Sequence, residues 1–306
     1  MNGFFNILKP TGMSSAAVVA VLRRLTGEKR VGHAGTLDPE AAGVLPVMTG
    51  KATRLFDYLA DKEKEYVAVA AFGSRTDTQD ATGTVLETGD HYPDAEAVRR
   101  AAERLTGDIR QVPSMYSAIK VSGKPLYLRA RRGETAEVPE RTVHIEEIEL
   151  MREMPDHGFE LRIRCGRGTY IRTLCDDLGK LCGCPAHMRS LTRTRSGVFG
   201  IGDAITPEEA AALAADGTLR ERLLPTDYPL GHLPRTEAAE RLRKKVVNGT
   251  RLPLAGCAGD PLTEGQATRV YLGGQFWGIA AREGEELAWK ALIAPEPEGE
   301  NTQTCE

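Results

Sequence analysis

Apolar positions recur at helical spacing in four places along the chain. Val18, Leu22 and Leu25 share one face of a helix predicted over Ser15 to Thr26, with Ser14 or Ser15 as the cap and Gly27 as the stop. Pro93 and Asp94 open a second helix that carries Val98, Ala102 and Leu105 and stops at Gly107. A third begins at Thr169 and bears Ile171, Leu174, Cys175, Leu178 and Leu181; Gly179 weakens its interior and Gly183 ends it. Thr206-Pro207-Glu208-Glu209 is a helix start with a cap, a first-position proline and acids in the first turn. LFDYLADK has the texture of a short helix.

Strand patterns fall between these helices. EYVAVAAFG, residues 65–73, is rich in small and β-branched residues. VHIEEIELM and FELRIRCG read as adjacent strands, the second alternating through Phe159, Leu161, Ile163 and Cys165. Between them and the first strand, residues 73–83 have the Asp, Thr and Gly of a turn. They resemble a cation loop slightly, but lack the spacing of an EF-hand. Residues 111–142 keep no sustained period and hold three prolines, two tyrosines and many bases; such a long irregular segment is usually functional or mobile. After LLPTDYPLGHLP the texture changes, placing a boundary near 228–234. A helix is expected over Glu237 to Val247, followed by short strands in RVYLGG, QFWGIAARE and ELAWKALIA. The final dozen residues are polar and acidic and read as disordered.

Composition narrows the class. The chain has 306 residues, 41% hydrophobic and 27% charged, which suits an ordinary globular protein of two domains. No run nears the roughly 18 apolar residues of a membrane helix, and the N-terminus lacks the order of a signal peptide, so a cytoplasmic location with no membrane partner is expected. The six cysteines form no C-x-x-C pair, and Cys182, Cys184 and His187 fit no common zinc spacing; no metal site is expected. A net charge of −3 excludes a globally basic nucleic-acid binder but not a local basic field. Gln111 to Arg132 has a balance of +5, from Lys120, Lys124, Arg129, Arg131 and Arg132, and Arg162 to Arg195 has +6; these two stretches are expected to form one positive face.

Chemistry concentrates in GHAGTLDPEAAGVLP, Gly32 to Pro46, a loop of small residues around His33, Asp38 and Glu40. One loop aspartate alone is ordinarily a turn former. Here GHAGTLDPEAAGVLPVMTGKATRL closely resembles the catalytic signature of the TruB family of tRNA pseudouridine synthases. The pattern continues in KEYVAVAAFGSRTDTQDATG, QVPSMYSAIKVSGKPLY, GRGTYIRTLCDDLG and CPAHMRSLTRTRSGVF, five ordered blocks over most of residues 4–200.

The resemblance implies an α+β fold: a pseudouridine synthase catalytic domain over 1–230, with a mixed, largely antiparallel sheet and a thumb insertion at about 111–142. A small PUA-like RNA-binding β-barrel would follow at 231–295 and a disordered tail at 296–306. It implies isomerisation of the T-loop uridine of tRNA, position 55, whose C1′–N1 bond is exchanged for C1′–C5. Nothing enters or leaves and no redox change occurs, so no cofactor is expected. Asp38 matches the family nucleophile, attacking C6 or C1′ or assisting elimination. Arg172 matches the arginine that pairs with it and favours its charged form. Tyr66 matches the tyrosine that stacks on the base and takes part in proton transfer at C5. Tyr170 and Leu191 match residues lining the uracil pocket, and His33 matches one that contacts the RNA loop once the base is flipped. Glu40 reads as structural or solvated. In the thumb, Lys120, Lys124, Tyr127, Arg129, Arg131 and Arg132 would meet the tRNA stem-loop, with Tyr116 and Tyr127 interleaved among the bases. No obligate protein partner is expected. Rival readings are a guide-RNA-dependent relative, which would fail on tRNA alone, and an RNA-binding or tRNA-folding protein whose catalysis is incidental.

Overall fold

The structure, a computed structural model, describes residues 1–295 apart from 60–62, 118, 122 and 131, with only the backbone of Lys120. Arg131 and the acidic tail at 296–306 therefore lie outside the described residues. The chain runs through β1 (Gly3–Lys9), α1 (Ser15–Thr26), β2 (Val31–His33), β3 (Ala42–Thr49) and a 3-10 segment over Gly50–Tyr58. Next come β4 (Lys64–Phe72), β5 (Ser74–Thr76), β6 (Val85–Thr88), α2 (Ala95–Arg104) and β7 (Gly107–Gln111). Short pieces follow: β8 (Lys120–Val121), β9 (Lys124–Pro125) and α3 (Leu126–Ala130). The long strands β10 (Arg141–Met154) and β11 (Gly158–Cys165) precede α4 (Ile171–Cys182), β12 (Ala186–Ser196), β13 (Phe199–Gly200) and α5 (Pro207–Ala215). Finally come β14 (Arg235–Ala238), α6 (Arg243–Val247), β15 (Leu252–Pro253), β16 (Cys257–Gly259), β17 (Ala267–Leu272), β18 (Gln275–Glu283) and β19 (Glu286–Leu292).

The fold is α+β. A large sheet has the order β1-β3-β12-β4-β11-β10-β7, with β2 and β13 on its margins. All its pairings are antiparallel except β3 with β12. A smaller, barrel-like sheet runs β15-β19-β18-β17-β14-β16. The two share apolar surface. Successive residues of β1 and β3 point to opposite faces. Phe5, Ile7, Leu45 and Val47 pack with Val18 and Leu22 of α1, Val98 of α2, Leu174 and Leu178 of α4 and Ala210 of α5. Phe4, Val44 and Met48 pack instead with Leu230 and with Tyr271, Phe276, Ile279 and Ala291 of the smaller sheet. Burial on both faces explains why GFFNILK and GVLPVM show no apolar–polar alternation.

Three of the predicted helices form where their caps place them, whereas the one expected from Thr169 starts at Ile171 without a side-chain cap. Ser14 accepts from Ala17 N, Asp94 accepts from Ala97 N, and Thr206 with Glu209 makes a reciprocal capping box. Gly183 closes α4 in the left-handed conformation. Gly179 inside α4 has a packing cause. A Cβ there would lie 2.7 Å from the Cys184 carbonyl oxygen and 2.7 Å from Ala186 Cβ, so only glycine lets α4 meet the start of β12.

Other expectations are corrected. The Gly32–Pro46 stretch is a loop only over 34–41, because Val31–His33 and Ala42–Thr49 pair with each other and β3 pairs with β1. The helix expected over Glu237 to Val247 begins as a strand: Arg235–Ala238 pairs with β17 and β16, and Thr236 Oγ1 lies 2.8 Å from Thr268 Oγ1. Tertiary pairing overrides helix propensity there. LFDYLADK overlaps the 3-10 segment, which starts earlier, and its last residues lie outside the described set. Among the described residues no helix is long and apolar enough to cross a membrane.

The parallel junction of β3 and β12 depends on Gly43, which has φ +112° and whose Cβ would meet the Arg193 carbonyl oxygen at 2.2 Å. Gly43→Ala should lower unfolding free energy by about 2–4 kcal/mol, from strain and overpacking. Urea unfolding followed by circular dichroism measures it, and a change near zero would contradict the close approach.

Candidate active site

The 34–41 loop is held on every side. Ser15 Oγ, at the start of α1, accepts from Leu37 N at 2.9 Å and donates to Leu37 O at 2.9 Å. Lys9, at the end of β1 and fully buried, donates to the carbonyls of Pro10, Met13 and Pro39 at 2.8, 2.6 and 3.0 Å. Burial lowers the Lys9 ammonium to about 8, although the nearby Glu40 and Asp38 charges oppose that fall. Arg193 of β12 donates to the Gly35 and Thr36 carbonyls from the other side. Between these anchors stands Asp38, whose side chain is 43% exposed.

Its partner comes from α4. Arg172 is the second residue of that helix, is 7% exposed, and places Nε 3.1 Å from Asp38 Oδ2. The rest of the guanidinium is also engaged. Nη1 donates to Thr78 O at 3.0 Å and to Asp80 Oδ2 at 3.3 Å, and Nη2 donates to Tyr116 O at 2.9 Å. Asp80 sits in the turn after β5. Burial pushes its carboxyl up, but hydrogen bonds from Thr82 and Thr78 and the Arg172 charge more than offset that, so it lies below the usual carboxylate range. Tyr116 Oη donates to Asp77 Oδ2 at 3.2 Å, fixing the carbonyl that Arg172 uses.

Asp38 and Arg172 open onto a cleft of about 180 Å³ whose walls include Leu37, Lys64, Tyr66, Gly168, Tyr170 and Leu191. Tyr66 is the third residue of β4 and is buried; burial raises its hydroxyl, and the Arg193 charge partly draws it back. Tyr170 precedes α4 and is clamped by Gln111, which accepts from Tyr170 N at 3.0 Å and donates to Tyr170 O at 3.2 Å. Burial raises its hydroxyl too. The cleft therefore offers one arginine-bound carboxylate, two aromatic rings and an aliphatic wall, a fit for a planar uncharged ring presented to a fixed anion.

The structure thus brings Asp38, Tyr66, Tyr170, Arg172 and Leu191 to one cleft. His33 ends β2 away from the lining; its imidazole, lowered by burial and by Arg193, faces the Gly35 amide at 3.4 Å. Of the residues expected in the thumb, Lys124, Tyr127, Arg129 and Arg132 lie outside the lining as well; Arg131 and the Lys120 side chain lie outside the described residues. Tyr127 and Lys124 are exposed, Arg132 is exposed, and Arg129 is paired with Glu134 at 3.2 Å. Part of the basic excess counted along Arg162 to Arg195 is neutralised in the fold. Arg162, Arg164, Arg172, Lys180, Arg189 and Arg195 all pair with carboxylates, and Arg193 is buried. Those acids come mostly from neighbouring strands and loops, which a count along one segment does not register. Among the described residues no group of three or more His, Cys, Asp and Glu side chains could hold a metal ion. Sequence reasoning missed Lys9, Gln111 and Asp80; only Asp80 left a signal, as the acid of a Thr-rich turn.

Residues 23–171 match the family model for the TruB family pseudouridylate synthase N-terminal domain, and residues 172–231 match that for the tRNA pseudouridylate synthase B C-terminal domain. The chain is 45% identical over 261 residues to tRNA pseudouridine synthase B of Bacillus licheniformis, covering 83% of this chain and 84% of the relative. It is 43% identical over 258 residues to tRNA pseudouridine synthase B of Bacillus subtilis, covering 82% and 84%.

The chain belongs to the TruB family.

The two TruB models meet inside the site, with Asp38, Tyr66 and Tyr170 in the first and Arg172 and Leu191 in the second. Among solved structures, the chain resembles one titled "Structure of H/ACA RNP bound to a substrate RNA containing 2'-deoxyuridine", with TM-score 0.74 and 24% identity, covering 96% of this chain and 85% of that one. A "Cbf5-Nop10-Gar1 Complex" gives TM-score 0.72 and 26% identity, covering 96% and 84%. The architecture is the pseudouridine synthase fold.

Asp80 holds the far side of Arg172 as an anion. Its carboxyl is depressed in the folded state, so its stabilisation is present above the unfolded value near 3.8 and is lost as pH falls through the lower folded value. Asp80→Asn should be less stable than the wild type by about 1–3 kcal/mol at pH 7. That gap should shrink as pH is taken below 4 in urea titrations; a gap independent of pH would contradict the ionised pairing.

Proposed function

We propose that this TruB-family chain isomerises uridine 55 in the T loop of tRNA to pseudouridine, with Asp38 as the nucleophile. The observation that carries this reading is the 3.1 Å pairing of Asp38 with the nearly buried Arg172 at the mouth of a cleft walled by Tyr66, Tyr170 and Leu191. The target base must leave the loop stack to reach that cleft, at a cost of a few kcal/mol that stacking on Tyr66 and contact with Leu191 offset. Arg172 holds the Asp38 carboxylate and aims it at the sugar–base junction. The C1′–N1 bond breaks, the uracil turns within the walls and rejoins C1′ through C5; the C5 proton leaves, N1 ends protonated and Asp38 is released unchanged, so the atoms balance. Tyr66 lies in the cleft as the group that stacks on the ring and relays that proton.

In the same reading, residues 1–230 form the catalytic domain and residues 231–295 a PUA-like RNA-binding domain. The 111–142 segment acts as a thumb over the T stem-loop, through Lys120, Lys124, Tyr127, Arg129, Arg131 and Arg132. His33 contacts the RNA loop. The fold likeness to chains from H/ACA and Cbf5–Nop10–Gar1 assemblies favours a second reading, activity that depends on partner proteins and a guide. Incubating the purified chain alone with an unmodified tRNA transcript, then mapping pseudouridine by mass-labelling, separates them: the proposal requires product at position 55 without partners.

Asp38→Asn should abolish product while tRNA binding stays within about threefold of the wild type; retained turnover would remove Asp38 from the reaction. Arg172→Ala should lower the single-turnover rate by about 100-fold or more, with a smaller loss of affinity. An unchanged rate would contradict the pairing as the source of orientation.

A further inference from the structure

Arg193 is the largest fully buried side chain among the described residues. It donates to three backbone carbonyls, Val44 O at 2.7 Å, Gly35 O at 3.0 Å and Thr36 O at 3.4 Å, and also meets the Tyr66 hydroxyl; none of these partners is a carboxylate. Removing a guanidinium from water is costly, and carbonyl dipoles recover that cost less fully than an acid would. An apolar side chain of similar volume would fill the space more cheaply, so packing alone does not account for an arginine here.

Its position accounts for it better. Arg193 lies in β12 between two neighbours, paired in register with Gly43 of β3 on one side and with Tyr66 of β4 on the other. The absence of a side chain at Gly43 lets the two backbones approach at this point. The guanidinium then reaches Gly35 and Thr36, three and two residues before Asp38, and ties them to Val44, the third residue of the strand that follows the loop. One planar group with divergent donors spans both ends of the loop, which a single ammonium does not do.

We propose that Arg193 is a positioning residue of the reaction, a strut that sets the 35–38 segment so that Asp38 meets Arg172 while its charge stands beside the Tyr66 hydroxyl. Arg193 is not itself part of the cleft lining and meets no acid; it acts through the lining groups it holds, the Thr36 carbonyl and the Tyr66 hydroxyl. This inference rests on Asp38 being the nucleophile.

The test is Arg193→Lys, which keeps the charge and loses the fork. Single-turnover pseudouridine formation on a tRNA transcript should fall about 30- to 100-fold. The dissociation constant for tRNA should stay within about threefold, because no contact with RNA is removed. A folded R193K that loses thermal stability but keeps a rate within about threefold of the wild type overturns the proposal. Should R193K fail to fold, Gly35→Ala decides. Gly35 has φ +142°, and an added Cβ would meet nothing closer than 3.7 Å, so alanine strains the accepting end and leaves Arg193 in place. G35A should lose about tenfold or more in rate with tRNA affinity kept; a wild-type rate overturns the strut. A wild-type chain that makes no pseudouridine would instead be a failure of the functional reading, distinguishable from either result.

Discussion

The contact on which the site depends is the pairing of Asp38 with Arg172. The guanidinium is almost excluded from solvent and the carboxylate is half exposed, so the fixed partner is the arginine and the presented one is the acid. Arg172 is itself immobilised by a second carboxylate, Asp80, and by the carbonyls of Thr78 and Tyr116. A charged group held this way needs no reorganisation when a ligand arrives, which is the usual source of electrostatic advantage in a closed site. The Tyr116 carbonyl belongs to the root of the 111–142 segment, so one end of that segment is bonded to the same guanidinium that orients Asp38.

The fold serves that contact by bringing distant pieces of chain together. Asp38 comes from the loop between β2 and β3, Tyr66 from β4, and Arg172 from the first turn of α4, which packs on the same sheet. The parallel entry of β12 between β3 and β4 is the unusual join, and it carries Leu191 and Arg193. Lys9, Ser15 and Arg193 bind the loop at its end, middle and start, so its backbone has few conformations left. The smaller sheet covers the outer face of β1 and β3, which lets those strands be apolar on both sides.

Much of this was legible in the sequence, for identifiable reasons. Helices with explicit caps and one apolar face were readable, as were the alternating strands and the glycine-rich final strands. Strands buried on both faces, such as β1, carry no alternation and escaped notice. β12 was hidden because its inward positions include an arginine rather than an aliphatic residue. Glu237 misled because a strand paired on both sides can be written in helix-forming residues. At the site, the family motif marked Asp38, Tyr66, Tyr170, Arg172 and Leu191, whereas Lys9, Gln111 and Asp80 act through backbone groups or through Arg172, and a partner carbonyl leaves no signature in sequence. Charge counted along one segment also failed to register the acids that fold against it.

Catalysis by this site requires an everted uridine in the cleft, its sugar–base junction against the arginine-held carboxylate. The most direct measurement is a structure of the protein bound to a tRNA T-arm stem-loop. An Asp38 oxygen is expected within about 3.5 Å of the ribose–uracil junction, with Arg172 still bonded to that carboxylate. A uridine seated elsewhere, or an Asp38 side chain turned to solvent with the pairing broken, would contradict it.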